Sequence, residues 1–327
     1  MIVPLNETRI RPDLAICIVN WNTRELLREC LRSIKDTLGE LKAEVFVVDN
    51  CSRDGSADMV ADEFSRVCLI RNEQNRGFGM ANNQAISLAR APFILILNPD
   101  IVALPGAIEN MVKFLVQHPE AGAIGGKMLN ADRTLQYSLR TFPSALTAFT
   151  ENHDLNWLPC MSALYNRYRM FTWHHESLRE VDQPMGAAMM VRRSVIETLG
   201  GFDENFHMFF EDVDLCYRIK RNGWKIYYVP AARIVHYGGC SVRQRDKIGE
   251  EFYASLMKFY LKNHGWRYTM FIRVCMVVMG LGCIAVAAPF AALRKRSWLD
   301  TVKAALQVIR YGCYYRIPRE INRHYLP

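Results

Sequence analysis

Three carboxylates lie within four residues of one another near position 212. Glu211, Asp212 and Asp214 follow two phenylalanines in the run Phe-Phe-Glu-Asp-Val-Asp. Like charges this close repel each other, so the cluster is costly as a purely structural device. Capping of a helix N-terminus accounts for one or two of the three. A carboxylate that accepts a proton from a substrate accounts for another, so the cluster predicts a general base.

A further carboxylate, Asp100, follows the apolar run FILIL in the motif Leu97-Asn98-Pro99-Asp100. A hard divalent cation commonly takes only one or two protein ligands when a substrate supplies phosphates. An aspartate in a proline-containing turn is the structural alternative. His236, which lies in the motif IVHYGG, is a candidate nitrogen ligand for the same cation, although a lone histidine is usually structural.

Polar residues end four predicted strands in succession. They are Asn20 with Asn22, Asp49 with Asn50, Asn72, and Asn98 with Asp100. Ligands of open α/β sheets bind at the carboxyl ends of the strands. Asparagine and aspartate also favour caps and turns, so a single strand end is ambiguous. Four such ends together favour a binding site.

The elements that must position these residues alternate between two hydrophobic periods. Predicted strands cover residues 14–19, 44–48, 67–70 and 93–97, and predicted helices cover residues 23–34, 56–64, 78–89 and 105–118. Short continuous apolar strands alternating with helices predict an α/β fold with a mostly parallel sheet covered on both faces. Residues 120–185 are less regular, begin with Gly122, Gly125 and Gly126, and are interpreted as an acceptor-side insertion. Next come an apolar strand (AAMMV), a short helix from Ser194, the acidic cluster, an amphipathic helix and a strand at residues 224–229.

The charge distribution and the lack of certain motifs disfavour several classes of protein. The 327-residue chain has a formal net charge of +8. Residues 1–244 carry 27 Lys and Arg against 28 Asp and Glu, whereas residues 245–327 carry 14 against 5. The near-neutral main part disfavours nucleic-acid binding. The first strand is followed by no GxGxxG fingerprint, and the chain has no Walker A loop, which disfavours dinucleotide-binding and P-loop folds.

The ten cysteines form no CxxC pair and no zinc-binding spacing, which is typical of a reducing compartment. Several lie in apolar runs, where cysteine acts as a small hydrophobic residue. The N-terminal segment MIVPLNETRIRPD lacks the apolar core of a signal peptide.

Taken in order, the motifs IVNWN, VVDNCSRDGS, NRGFGMANN, LNPD, FFEDVD and IVHYGG resemble those of family 2 glycosyltransferases of GT-A fold. The motifs are similar to those of the rhamnosyltransferase-like subgroup, in which Asn-Pro-Asp replaces Asp-x-Asp. The resemblance covers about residues 12–245. The resemblance implies an inverting transfer from a nucleotide-diphosphate sugar, assisted by Mg²⁺ or Mn²⁺.

The resemblance also implies roles for individual residues. It makes Asp212 the catalytic base, with Glu211 beside it, and gives Asp100 and His236 to the metal ion. Asn98 replaces the first aspartate of Asp-x-Asp, so one carboxylate remains there. The residues implied on the nucleotide-sugar side are Asn20, Asn22, Asp49, Asn83 and Asn98.

The tail is apolar and basic. Residues 274–293 are uncharged, and 20 such residues suffice to span a bilayer core of about 30 Å. Arg267 and Arg273 precede this run and Arg294-Lys295-Arg296 follow it. The run predicts either one membrane span or a re-entrant or in-plane helical hairpin broken near Pro289, followed by an interfacial amphipathic helix. A soluble helical appendage or a dimer interface is the alternative.

These inferences predict a GT-A domain at residues 1–245 and a helical membrane-associating tail at residues 246–327. The expected activity moves L-rhamnose from dTDP-rhamnose to a polyprenyl-diphosphate-linked saccharide at the cytoplasmic face of the plasma membrane, in bacterial surface glycan synthesis. A UDP-hexose donor and a catalytically idle scaffold subunit are the alternatives. No nucleic-acid partner is expected, and the sequence leaves open whether the protein is a homo-oligomer.

Overall fold

The computed structural model describes residues 11–144, 159–238, 248–291 and 296–314. The chain divides into two units, one of residues 1–140 and 173–246 and one of residues 141–172 and 247–327. The predicted domain boundary after residue 245 stays a prediction.

The first unit is built on a nine-stranded sheet. The strands of this unit are β1 Leu14–Asn20, β2 Ala43–Asp49, β3 Cys68–Arg71, β4 Phe93–Leu97, β5 Ile101–Ala103, β6 Ala121–Leu129, β7 Leu139–Arg140, β8 Arg179–Glu180, β9 Gln183–Pro184, β10 Ala188–Arg192 and β11 Lys225–His236. The sheet order is β3-β2-β1-β4-β10-β6-β11-β5, and β8 also pairs with β11. Strands β7 and β9 form a separate two-stranded sheet.

Most strands of the large sheet share one direction. Strands β1, β2, β3 and β4 are parallel, as are β6 and β11, whereas β10 lies antiparallel between β4 and β6. Strands β5 and β8 each pair antiparallel with β11. The predicted mostly parallel sheet is therefore confirmed.

Helices cover the sheet. Those of the first unit are α1 Arg24–Thr37, α2 Ser56–Glu63, α3 Phe78–Leu88, α4 Ala107–Gln117, α6 Arg193–Thr198 and α7 Glu211–Arg221, and α5 Pro159–Tyr168 belongs to the second unit. Every residue of β1 and β4 is buried, as strands covered on both faces require. Helix α1 buries Leu27, Cys30, Leu31 and Ile34 against the sheet side of the domain core.

Buried thiols add to this core as small apolar groups. Cys17, Cys30 and Cys216 are free and buried. Burial raises the pKa of each thiol above its ordinary value, so these cysteines remain neutral and unreactive.

The structure differs from the sequence-based expectation at residues 121–129, where the glycines were interpreted as the start of an irregular segment. They lie in β6, a nine-residue strand. A Cβ would lie 2.8 Å from Cβ of Trp224 at Gly122, 2.3 Å from Cβ of Pro184 at Gly125 and 2.5 Å from the carbonyl oxygen of Ala232 at Gly126. Close packing of neighbouring chain on this strand therefore explains its glycines.

The second unit contains two long helices, α8 Ile248–Ala291 and α9 Arg296–Tyr314. Gly265 interrupts α8 with a non-helical φ of 82°. Gly280 packs on Ile309, and Gly312 packs on Val277, so the C-terminal half of α8 and α9 run antiparallel with small residues at their interface.

One helix among the described residues, Gly249–Ala288, is long and apolar enough to span a membrane, and an 18-residue window within it has a mean hydropathy of 2.3. Exposed apolar side chains follow one another along it: Trp266, Phe271, Val274, Val278, Leu281 and Val286. The long apolar C-terminal helix is thereby confirmed. The predicted basic flank at Arg294 and Lys295 lies outside the described residues.

Candidate active site

The ends of β1 and β2 are tied together by side chains. Asn20 is fully buried, and its Nδ2 donates to Oδ1 of Asp49 and to Oγ of Ser52, each over 3.0 Å. Its Oδ1 accepts from Oγ1 of Thr23 at 2.6 Å. Oδ2 of Asp49 accepts from the backbone N–H of Ser52 at 3.0 Å. Asn20 and Asp49 thus lie side by side, and both hold the loop after β2 in place. Their role at the nucleotide stays a prediction.

Asn22 lies in the same loop cluster. Its backbone is left-handed, with φ of 52°, and its Oδ1 accepts from the backbone N–H of Arg53 at 2.7 Å. Asp54 joins this loop to two helices, because its carboxylate accepts from the backbone N–H of Arg24 at 2.8 Å and of Ser56 at 3.0 Å. Burial opposes ionisation of Asp54, but these donors and the Ser56 hydroxyl outweigh it and lower the pKa of the carboxyl.

The glycine-rich segment before α3 is fixed by Asn50. Nδ2 of Asn50 donates to Oδ1 of Asn75 at 3.0 Å and to the carbonyl oxygen of Gly77 at 3.1 Å. Gly77 has φ of 82° and ψ of 173°, a conformation open essentially to glycine alone. A Cβ there would lie 2.4 Å from the carbonyl oxygen of His207. The glycine therefore permits the loop before α7 to dock on the start of α3.

Asn83, the residue expected to face the donor, holds a neighbouring turn. Its Nδ2 donates to the carbonyl oxygen of Phe202 at 2.9 Å and to Oε1 of Glu204 at 3.0 Å, and its Oδ1 accepts from the backbone N–H of Phe202 at 2.8 Å. The preceding residue, Asn82, is fully buried, and its Oδ1 has no hydrogen-bond partner. The donor-side role of Asn83 stays a prediction.

Asp100 and His236 are brought together by strand pairing. His236 ends β11 opposite Ile101 of β5, and the backbone N–H of Tyr237 donates to the carbonyl oxygen of Asp100 at 3.0 Å. Nε2 of His236 lies 3.4 Å from Oδ1 of Asp100. The two residues are only 6% and 5% exposed.

This pair fits a divalent cation. Oδ1 of Asp100 is buried without a hydrogen-bond partner, and a buried carboxylate oxygen left in that state is costly unless a cation meets it. Among the described residues no group of three or more His, Cys, Asp and Glu side chains could hold a metal. Asp100 and His236 would therefore be the protein ligands of such a cation, and substrate phosphates and water would have to complete its coordination.

Asp212 lies in the first turn of α7, after a strained stretch of backbone. Phe209 and Phe210 have φ of 63° and 64°, a left-handed conformation that is rare for bulky residues. Such strain clusters at functional sites because the surrounding structure must maintain it. It turns the chain so that Glu211 is buried and Asp212 is half-buried at the start of the helix.

Three N–H groups orient the Asp212 carboxylate. Its Oδ2 accepts from the backbone N–H of Gly186 at 2.9 Å and from Nε2 of Gln183 at 3.3 Å, and its Oδ1 accepts from the backbone N–H of Val213 at 2.8 Å. A carboxylate offers about four acceptor positions, so one remains on Oδ1. The group can therefore accept a proton without losing its anchor.

The third carboxylate of the cluster is structural. Asp214 is completely buried, and its Oδ2 accepts from Nε of Arg218 at 2.7 Å. Arg218 also donates to the carbonyl oxygens of Leu199 and Gly201 at 2.9 and 2.8 Å. This pair anchors the turn before the loop that leads to α7.

Asp212, the general-base candidate, is linked to the metal-site candidate at the carboxyl end of β4. The backbone N–H of Asn98 donates to the carbonyl oxygen of Ala187 at 2.8 Å, and the adjacent Gly186 holds Asp212. Asn98 itself is half-buried. Two hydrogen bonds, from Gly186 to Asp212 and from Asn98 to Ala187, therefore connect Asp212 to the Asn98-Pro99-Asp100 motif.

Sequence reasoning missed three residues of this arrangement: Gln183, Gly186 and Gln136. Gln136 lies beside His236, 100 residues away in sequence. Neither glutamine belongs to a motif with local spacing, so no sequence signal marked them. Gly186 precedes the predicted strand AAMMV, and a glycine before a strand is a weak indication of close approach.

Comparison with known proteins identifies the family. The family model described as "Glycosyltransferase like family 2" matches residues 12–271. The N-acetylglucosaminyl-diphospho-decaprenol L-rhamnosyltransferase of Mycobacterium tuberculosis is 29% identical over 214 residues, which cover 61% of this chain and 67% of that protein. Rhamnosyltransferase WbbL of Escherichia coli is 28% identical over 195 residues, covering 57% of this chain and 68% of that protein.

Solved structures share the fold at low identity. The mannosyltransferase PcManGT of Pyrobaculum calidifontis, in complex with GDP-Man and Mn²⁺, has a TM-score of 0.52 at 18% identity, covering 95% of this chain and 89% of that chain. GalNAc-T7 with UDP, GalNAc and Mn²⁺ has a TM-score of 0.55 at 14% identity, covering 77% and 51%. The expected GT-A fold is confirmed, and the chain belongs to glycosyltransferase family 2.

Proposed function

We propose that this chain is an inverting, metal-dependent rhamnosyltransferase that takes L-rhamnose from dTDP-rhamnose. The observation that carries the proposal is the linkage of the anchored Asp212 carboxylate to the buried Asp100–His236 pair at one sheet edge. Such a site combines a proton acceptor with a place for the leaving diphosphate, which are the two requirements of a direct sugar transfer.

The reaction is a single in-line displacement. The acceptor hydroxyl oxygen forms a bond to the anomeric carbon, the bond from that carbon to the diphosphate oxygen breaks, and the nucleoside diphosphate leaves with the electron pair. Asp212 takes the hydroxyl proton on the open position of Oδ1, and general-base help of this kind typically supplies about 10²–10⁴-fold in rate. One displacement inverts the anomeric centre, so no enzyme nucleophile is required.

Asp100 and His236 are the proposed ligands of the cation that stabilises the leaving diphosphate. A divalent cation held by these two residues would offset the negative charge that develops on the diphosphate. In this proposal the loop after β2, which hydrogen bonds hold to Asn20, Asn22 and Asp49, borders the nucleotide. Asn83, which holds the turn at Phe202, lies on the donor side, and Asn98 belongs to the motif that ends in Asp100.

The donor and the acceptor are proposed from the relatives. The Mycobacterium tuberculosis protein is named for transfer of L-rhamnose to N-acetylglucosaminyl-diphospho-decaprenol, and WbbL is also named a rhamnosyltransferase. We assign this chain the same chemical classes: a nucleotide-activated deoxyhexose and a saccharide on a polyprenyl diphosphate, used in bacterial surface glycan synthesis.

Exposed apolar side chains on the second unit favour a location of the protein at a membrane. Phe271, Val274, Val278 and Leu281 form an exposed apolar row on α8, and the helix is long enough to cross or re-enter a bilayer. Glycines at the α8–α9 interface allow the close packing typical of membrane helices. Nucleotide sugars are made in the cytosol, so the proposed location is the cytoplasmic face of the plasma membrane.

A donor panel tests this function. The full-length protein in detergent or nanodiscs is incubated with Mn²⁺, a polyprenyl-diphosphate-linked GlcNAc, and dTDP-rhamnose, UDP-glucose or UDP-GlcNAc in turn. We expect a mass increase of one deoxyhexose with dTDP-rhamnose only, and NMR of the product should show an inverted anomeric configuration. Transfer from a UDP-hexose instead would change the donor assignment, and neither transfer nor donor hydrolysis would favour a scaffold role.

A further inference from the structure

Gln136 lies at the metal-site candidate although no motif marks it. It follows a tight turn after β6, in which the backbone N–H of Asn130 donates to the carbonyl oxygen of Thr134 at 2.8 Å. The backbone N–H of Gln136 then donates to the carbonyl oxygen of Met128 at 2.9 Å. These backbone bonds place its side chain against His236.

The hydrogen bonds of Gln136 determine which way its amide faces. Nε2 of Gln136 donates to the carbonyl oxygen of His236 at 3.0 Å and to Oδ1 of Asn130 at 3.1 Å. A backbone carbonyl can only accept, so the amide nitrogen must face it. Oε1 of Gln136 therefore faces Nδ1 of His236, at 2.6 Å.

This contact selects one form of the imidazole ring. An amide oxygen can only accept, so Nδ1 of His236 must carry the hydrogen. Nε2 of His236 lies 3.4 Å from Oδ1 of Asp100, and that oxygen has no hydrogen-bond partner. In the neutral ring with its hydrogen on Nδ1, the lone pair of Nε2 therefore faces a buried carboxylate oxygen, an arrangement that a cation between the two atoms stabilises.

We infer that Gln136 is a positioning residue that holds the His236 ring in the Nδ1–H tautomer and so presents Nε2, together with Asp100, to a divalent cation. The inference rests on the proposed metal-dependent transfer and extends it to a residue outside every recognised motif. Hydrogen bonds from the far nitrogen of a metal-binding histidine fix the ring and the tautomer, and their loss typically costs about 10–100-fold in metal affinity.

Metal binding tests the inference without turnover. Free Mn²⁺ is measured by electron paramagnetic resonance while the full-length protein is titrated with Mn²⁺ in the presence of dTDP. We expect Gln136→Leu to weaken Mn²⁺ binding about 10–100-fold. The matched control is Gln117→Leu at an exposed position of α4, which should bind Mn²⁺ as the unaltered protein does.

Two further variants separate this inference from the proposed function. Asp100→Asn and His236→Ala should both lose Mn²⁺ binding. Unchanged binding in those two variants would overturn the metal site itself. If they lose binding while Gln136→Leu retains it, the metal site stands and the role of Gln136 is wrong.

A spectroscopic measurement needs no substitution. With ¹⁵N-labelled histidine in the metal-free, full-length protein, the ring nitrogens of His236, assigned through His236→Ala, should show the Nδ1–H tautomer. The Nε2–H tautomer would overturn the inference. In Gln136→Leu we expect the two tautomers to mix, a change that a purely structural role of Gln136 would not produce.

Discussion

The backbone N–H of Gly186 donates a hydrogen bond to Oδ2 of Asp212 across 2.9 Å. Only glycine fits at this position, because a Cβ at residue 186 would lie 2.8 Å from Cβ of Asp212 and 3.1 Å from its Oδ2. The residue that orients the proposed base is therefore a glycine because of its size.

Gly186→Ala should push the Asp212 carboxylate away from its anchor. A misplacement of about 1 Å at the reacting group can cost about 10²-fold in rate, so we expect kcat to fall by about that factor with little change in donor Kd. Steady-state kinetics and donor titration measure the two quantities. Gly282→Ala is the control, since a Cβ there meets nothing within 4 Å. A Gly186→Ala enzyme with normal kcat would contradict the assignment of Asp212.

The neighbouring carboxylates Asp212 and Asp214 should respond differently to the same change. Asp212→Asn removes the proton acceptor and should lower kcat by about 10²–10⁴-fold while donor binding and Tm stay near normal. Asp214→Asn breaks a buried ion pair with Arg218 and should cost about 3 kcal/mol of unfolding free energy. Near-normal turnover of Asp212→Asn would overturn its role as the base.

The strands of the first half were predictable because local pattern determines them. The predicted strand at residues 93–97 matches β4, and the predicted strand at 44–48 lies within β2 Ala43–Asp49. Burial on both faces produces a continuous apolar run, which can be seen without knowledge of the partners. The carboxyl-edge location of Asn20 and Asp49 follows from the same pattern.

The remaining features depend on contacts distant in sequence. Strand β6 contains glycines because Pro184, Trp224 and Ala232 pack against it, and glycine otherwise indicates a turn. Strand β11 continues to His236, beyond the predicted end at residue 229, because its last residues pair with β5. The scaffold roles of Asn20 and Asp49 and the place of Gln136 also depend on long-range hydrogen bonds.

The pH dependence of stability should reveal the role of Asp54. Its carboxyl has a lowered pKa in the folded protein, so its contribution to stability is present above the unfolded pKa of about 3.9 and is lost as pH falls through the folded pKa. At neutral pH, Asp54→Ala should cost about 1 kcal/mol, the typical value of a lost helix cap.

Denaturant unfolding between pH 3 and pH 7 measures this effect. The difference in unfolding free energy between the unaltered protein and Asp54→Ala should be constant above about pH 5 and shrink below about pH 4. The exposed Asp62 of α2 supplies the control variant, Asp62→Ala. A difference that stays constant down to pH 3 would contradict a role of the ionised Asp54 carboxylate in joining the loop to α1.

Membrane association should depend on the exposed apolar row of α8. Val274 and Val278 are each 61% exposed, and a lysine at the centre of a membrane helix costs about 2.5–3.5 kcal/mol. The double variant Val274→Lys with Val278→Lys should therefore move from the membrane fraction to the soluble fraction when membranes are washed with high salt. Val116→Lys is the matched control, because Val116 is an equally exposed valine, at 65%, on α4 of the other unit.

The unaltered protein should stay in the pellet, since salt screens charges but does not weaken apolar burial. Its complete release by salt alone would refute an inserted tail and leave only electrostatic attachment through the basic residues.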